Sequence, residues 1–193
     1  MQRSFTADLV GLSPYSQSKY HATEKLDKEL DDAYRNRTWR NHMHVTADGY
    51  VAIPPMAIKN ALSEAAQFLG IQIPGKGKST WTKHFVAGIL VLSPVVLNIE
   101  ANSVNPETLF LPSNGVRGDG KRVTKMYPFI PQGWKGSVEI VAVDDLLTPD
   151  VIQHHLKEAG SLIGVGRFRP RQNGYYGRFS VSNFKEVKNA MAA

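Results

Sequence analysis

The chain has 193 residues, 42% of them hydrophobic and 21% charged, which allows one sizeable core and excludes a self-repelling disordered chain. It contains no cysteine, so disulfide frameworks, cysteine zinc sites and thiol catalysis are excluded together. A net charge of +6 makes polyanions the expected partner class.

Taken in chain order, Gln2–Leu12 predicts a strand, with Phe5, Ala7 and Leu9 alternating before Pro14 stops it. Ser18–Arg35 carries Tyr20, Leu26, Leu30 and Tyr34 at near-helical spacing. With Glu24–Lys28 and Asp31–Arg35 as i,i+4 pairs, it predicts a surface helix. Thr38–Val45 reads as a strand, followed by an Asp48-Gly49 turn and a short apolar Tyr50–Ile53. Pro55 opens a helix whose apolar face is Met56, Ile58, Ala61, Leu62, Ala65, Phe68 and Leu69, and Gly70 closes it. Beyond a Lys/Gly loop, Gly88–Ile99 predicts a buried strand with an edge or bulge at Pro94. Asn102–Lys125 reads as a long Asn/Pro/Gly-rich excursion and Ser137–Val143 as a strand. Thr148, Pro149 and Gly160 bound a second helix, and Tyr175–Val181 is the final strand.

This β-α-β-β-α-β order predicts an α+β, ferredoxin-like (RRM-like) fold. Two helices cover one face of an antiparallel sheet, and the other face is left for a ligand. The expectation is a single domain over 1–193, with long basic insertions at about 13–40, 71–87 and 101–126. No run approaches the roughly 18 apolar residues of a membrane span, and Met1–Leu12 has polar residues throughout. Neither a span nor a signal peptide is expected, and the expected compartment is the cytoplasm.

Chemistry concentrates in Leu162–Val181. Arg167, Arg169, Arg171 and Arg178 stand there without an acidic residue, interleaved with Gly164, Gly166, Gly174 and Gly177 and with Phe168, Tyr175, Tyr176 and Phe179. Arginine forks pair with phosphate oxygens, glycines admit close approach of a backbone and offer bare N–H groups, and aromatic rings stack unpaired bases. A second basic region, Ile71–Lys125, holds seven Lys/Arg against three acidic residues. Its two loops contribute Lys76, Lys78 and Lys83 beside Trp81, and Arg117, Lys121, Arg122 and Lys125. Gly77-Lys78-Ser79 is not a P-loop, because Gln72 occupies the place of the required first glycine and Pro74 intrudes. His42-x-His44, with His21 and Asp48 nearby in sequence, lacks fixed third and fourth ligands, so no metal is expected.

The run Gly164-Val165-Gly166-Arg167-Phe168-Arg169, after an apolar helix and before Gly174-Tyr175-Tyr176-Gly177-Arg178-Phe179, is similar to the C-terminal glycine-rich signature of the RAMP superfamily. These are the ferredoxin-like proteins that build CRISPR effector complexes. Gly49–Leu62, with Pro54-Pro55 and Lys59, resembles the strand, proline and lysine-bearing helix start of their backbone subunits. The resemblance implies that Lys59 and the Gly164–Arg169 loop lie together and hold a guide RNA backbone. It implies a thumb-like role for Asn102–Lys125 and a prokaryotic, or virus-infected prokaryotic, cell. Ser13–Arg40 matches no part of the pattern. A stand-alone relative that coats strands without a guide fits the same residues.

The expected function is sequence-independent binding of single-stranded RNA or DNA along its backbone, as a repeating subunit that associates with itself along the strand. Lys59, Arg167, Arg169, Arg171 and Arg178 would hold phosphates, with Gly164 and Gly166 admitting them. Lys76, Lys78, Lys83, Arg117, Lys121 and Arg122 would close over the strand, and Trp81, Phe168 and Tyr175 would stack bases. No cofactor and no catalytic residue is expected. A RAMP-type endoribonuclease is the enzymatic alternative, with His21, His44, His84 and Asp119 as candidates, but nothing in their spacing pairs two of them at one phosphate. An assembly subunit that binds no nucleic acid is the third reading.

Overall fold

Strand β1 (Arg3–Gly11) buries Phe5, Ala7 and Leu9 on one side and pairs antiparallel with two partners. The computed structural model describes residues 2–113, 116, 118 and 120–187. After β1 come β2 (Tyr15–Ser16), α1 (Asp31–Thr38), β3 (Tyr50–Ile53), α2 (Pro55–Leu69), α3 (Thr82–Gly88), β4 (Ile89–Leu90) and β5 (Val95–Glu100). The second half holds β6 (Asn105–Pro112), β7 (Arg122–Ile130), β8 (Lys135–Ala142), α4 (Pro149–Glu158) and β9 (Phe179–Val187).

The main sheet has the order β4-β8-β1-β9. With α2 between β1 and β4, and α4 between β8 and β9, this is the ferredoxin-like arrangement expected from the sequence. The core closes where Ile58, Ala61, Leu62, Ala65 and Ala66 of α2 and Ile152 and Leu156 of α4 meet Phe5, Leu9, Val138 and Ile140. Met56 and Phe68, expected on the inner face of α2, are exposed, because the helix turns its small alanine side inward. Gly160 does not end the second helix. A π turn, Ala159–Ile163, carries on to Gly164, and Gly160 lies where a Cβ would stand 2.2 Å from the Phe179 carbonyl.

The opposite face of the sheet shows Thr6, Asp8, Val10, Lys135, Ser137, Glu139, Ser180, Ser182 and Lys185. Asp8 and Glu139 offset the two lysines, and none of these residues is aromatic. Ser137 and Asn183 both donate to Asp8, and these bonds hold its carboxyl below the usual carboxylate range. The face left for a ligand in the sequence reading therefore has balanced charge with no excess of cations, and among its described residues there is no RRM-type stacking platform.

Four further expectations fail locally. Ser18–Leu30 is not helical: Lys28 takes a φ of +56°, and Tyr20, Leu26 and Leu30 are 86%, 62% and 77% exposed. The apolar spacing was real but met no core, and a helix without a buried face has little to hold it. Tyr34 Oη instead bonds the Thr23 carbonyl and Arg37 grips Glu29, tying the segment down side-on. Of the two expected i,i+4 pairs, only Asp31–Arg35 forms among the described residues. Thr38–Val45 is no strand, being a 3-10 turn (Trp39–His42) and one isolated bridge from Val45 to Val51. Gly88–Ile99 splits at Pro94 into β4, which joins β8, and β5, which pairs with β3. Asn102–Lys125 contains most of a long hairpin, β6–β7, in place of a loop. Its prolines hid it, yet Pro106 lies opposite Pro128 in the ladder, and β6 is an edge strand where a missing N–H is tolerated.

One core residue predicts a pH response. His155 is 1% exposed, its Nδ1 donates to the Val151 carbonyl at 2.8 Å, and its ring packs on Phe85. Its Nε2 is buried without a partner, and burial pushes its pKa below 6.5. The folded value lies below the unfolded one, so this stability is present above pH 6.5 and lost as the pH falls through the folded value. Denaturant midpoints at pH 7.5 and 5.5 should drop on acidification, and less so in His155→Phe. Identical drops would remove His155 as a cause.

Candidate nucleic-acid interface

The glycine-rich segment is a knot of backbone. Val165 N–H donates to Gly177, Tyr176 to Phe168 and Gly174 to Arg169, folding the chain back on itself through a 3-10 turn at Pro170–Gln172. Arg167 N–H donates to Ser16 and Gly177 N–H to Pro14, lashing the knot to the chain that follows β1. Its glycines are needed for this packing. A Cβ on Gly174 would stand 1.8 Å from the Phe168 carbonyl, and one on Gly177 1.8 Å from that of Val165. On Gly166 it would meet Tyr15 and the Ser16 carbonyl, and on Gly164 it would meet Pro170. This corrects the sequence reading of Gly164 as an opening for phosphate, since the N–H groups of Gly164, Val165, Arg167, Gly174, Tyr176 and Gly177 are all spent inside the protein, while Gly166 lines the cleft described next.

What the knot does build is one wall of a cleft of about 530 Å³. The other walls are Gln17–Lys19, His44 and the start of α2, through Pro54, Ala57 and Asn60. Lys19, Arg167 and Arg169 line it and no carboxylate does. The first turn of α2 has no acidic residue, so its helix dipole adds to the positive field. Gln17 is fixed by bonds to the Ala52 carbonyl and the His44 N–H, which sets the spacing between the walls.

Arg167 is the central group. Its guanidinium lies 3.3 Å from the Tyr127 ring centroid and 4.6 Å from that of Phe168, and its Nη1 is buried without a hydrogen-bond partner. Burial draws its pKa down, with Tyr127 and Glu107 opposing the shift. It stays charged at neutral pH. Arg169 donates to Glu64 at 2.8 Å, so its charge is partly neutralised from below, and Arg171 stands 4.0 Å from the same carboxylate. Phe168 takes a φ of +50° at the cleft, and Tyr175, 60% exposed, stands edge-on to Tyr176.

The other sequence-selected residues are elsewhere. Lys59 turns away from the cleft, donating to the Val86 carbonyl and to Ser63 Oγ, while its neighbour Asn60 lines it. Arg178 caps the Ser161 carbonyl. Lys76 and Lys78 lie beyond the far end of α2, about 20 Å along a 15-residue helix from its start. Lys83 is exposed on α3. Arg122 stacks on Phe110 near the hairpin tip, and the Lys121 charge reaches Asp31. Trp81, selected for stacking, is a core residue at 6% exposure and has no face to offer a base. Arg117 and Asp119 lie outside the described residues. His84 is bonded to Asp144 at 2.6 Å, apart from His44 in the cleft and from His21, whose ring meets His42 at 4.6 Å. Lys19, Tyr127 and Glu64 were missed. Their roles come from long-range packing, and no local pattern marks them.

No family model matches the chain, and no curated protein matches it in sequence. Among solved structures it is similar to Cmr6 from Pyrococcus furiosus, at 13% identity and a TM-score of 0.52, over 94% of this chain and 98% of that one. It is also similar to a chain of the type III-B Cmr-beta bound to cognate target RNA, at 10% identity and a TM-score of 0.51. That match covers 97% of this chain, which spans 61% of the length of its partner. At these identities the likeness to Cmr6 and to the Cmr-beta chain is one of overall fold.

Proposed function

We propose that this chain binds single-stranded nucleic acid, RNA foremost, by its phosphate backbone as a subunit of a larger assembly. The observation that carries this reading is the cleft beside the glycine-rich knot, lined by Lys19, Arg167 and the Glu64-paired Arg169, to which a helix start adds its dipole. The fold likeness to Cmr subunits, one of them in a complex bound to target RNA, supports RNA over DNA. Phe168 in the cleft wall and the exposed Tyr175 of the same knot supply ring faces that any base can stack on, which suits binding without sequence preference. We read the role as holding a strand: of His21, His44 and His84, His44 lines this cleft, and acid–base cleavage needs two groups at one phosphate.

The test is the salt dependence of affinity for a single-stranded oligonucleotide. Three phosphate contacts give a log–log slope of roughly −2, at about −0.7 per phosphate for a single strand. Oligonucleotides of different sequence should share that slope, and RNA should bind at least as tightly as DNA. A flat salt profile would reject phosphate neutralisation as the mechanism.

A further inference from the structure

A second cavity, of about 370 Å³, opens beside the cleft and shares Ser18 and Lys19 with it. That volume falls in the range of small-ligand pockets, about 300–1,000 Å³. Its walls are the N-terminal segment that no family pattern explains and the inner strand of the β6–β7 hairpin. Six rings line it: Tyr20, His21, Tyr34, Trp39, His42 and Tyr127. Lys19 and Lys125 stand among them with Arg35, whose charge is already met by Asp31 and Asp32. The partition between the cleft and this cavity is one stack, the Arg167 guanidinium on the ring of Tyr127.

One ring nitrogen at the cavity is free to take a ligand. His42 Nδ1 faces the Lys19 carbonyl at 2.9 Å and so donates, which leaves Nε2 as an acceptor. Burial lowers the pKa of this imidazole, which favours the neutral form that keeps the lone pair. Tyr20, nearly fully exposed at the mouth, is a ring with nothing yet on its face.

The geometry points to a nucleobase pocket: one base of the bound strand leaves the stack and enters this cavity while its phosphate stays on Arg167. Flat aromatic walls suit a flat ring, and the His42 acceptor suits a base N–H. The lysines Lys19 and Lys125 in its lining suit the flanking phosphates. This gives the N-terminal segment a task, and explains why Tyr20 is left in solvent. The inference rests on the backbone-binding reading above.

The experiment compares a base-bearing strand of about 16 nucleotides with a base-free phosphodiester strand of the same length. Wild type should bind the base-bearing strand roughly 5- to 100-fold more tightly. Tyr20→Ala, and Tyr20→Ala with His42→Ala, should narrow that ratio at least severalfold while leaving the base-free affinity and the salt slope unchanged. Tyr20 has no packing role, so the single variant keeps the test valid if the double variant unfolds. If both affinities stay at wild-type values in the variants, the cavity serves some other group, such as a side chain of a partner protein, and the proposal is overturned. Binding of free adenosine monophosphate that the strand does not displace would overturn it too. If wild type binds neither strand, the backbone reading itself has failed.

Discussion

Gly177→Ala is expected to destabilise the protein by about 3 kcal/mol or more, lowering the melting temperature by roughly 6–12 °C for a chain of this size. Gly177 has a φ of +70°, and an added Cβ would stand 1.8 Å from the Val165 carbonyl oxygen and 2.9 Å from its nitrogen. Those atoms are backbone and cannot swing away. They also belong to the ladder in which Val165 N–H donates to Gly177 and Gly177 N–H to Pro14, so relief of the clash breaks the bonds that tie the knot to the chain after β1. Gly75→Ala separates conformation from contact. Gly75 has a φ of +72°, yet nothing lies within 4 Å of its would-be Cβ, so only the left-handed strain remains, about 1 kcal/mol. Thermal and urea denaturation of the two variants measure the difference. Equal costs would mean that the knot is not locked by backbone contact, and the rigid cleft wall built on it would go.

The same glycines show what was legible in the sequence and what was not. Their density marked the segment correctly, because tight backbone crossings need residues without side chains. Sequence alone does not distinguish a backbone that approaches a ligand from one that approaches itself, and here the second holds at Gly164, Gly166, Gly174 and Gly177. The ferredoxin-like order was readable because β1, α2, β8 and α4 bury one regular face each, and that burial leaves a period in the residues. While Asp31–Arg35 is helical, the Ser18–Leu30 part of the expected Ser18–Arg35 helix fails for the complementary reason. Its period exists, but a period predicts a helix only where a core is there to receive it, and Tyr20, Leu26 and Leu30 meet none. The β6–β7 hairpin was hidden by prolines whose cost depends on ladder position, which only the pairing reveals. In the cleft itself, Arg167 and Arg169 announced themselves by composition. Lys19 sits some 150 positions away in the chain and joins them only because Ser16 accepts the Arg167 N–H.

Arg167 carries the largest expected loss of binding. Arg167→Ala should weaken affinity for single strands roughly 10- to 100-fold, the range of a charged hydrogen bond to phosphate, evenly across sequences, and flatten the salt slope by about 0.7. The more telling variant is Arg167→Lys. An ammonium keeps the charge, so the salt slope should stay near its wild-type value. It has no plane to lay between Tyr127 and Phe168, and its three donors cannot reproduce a fork held at 3.3 Å and 4.6 Å between two rings. Affinity should therefore fall about tenfold with the slope intact, separating aim from charge. Arg178→Ala is the internal control: its guanidinium is occupied by the Ser161 carbonyl outside the cleft, so it should alter stability more than binding. Melting curves confirm that each variant is folded before affinity is read. A folded Arg167→Ala protein that binds like wild type, with Arg178→Ala impaired, would move the phosphate site off the cleft and onto the outer side of the knot.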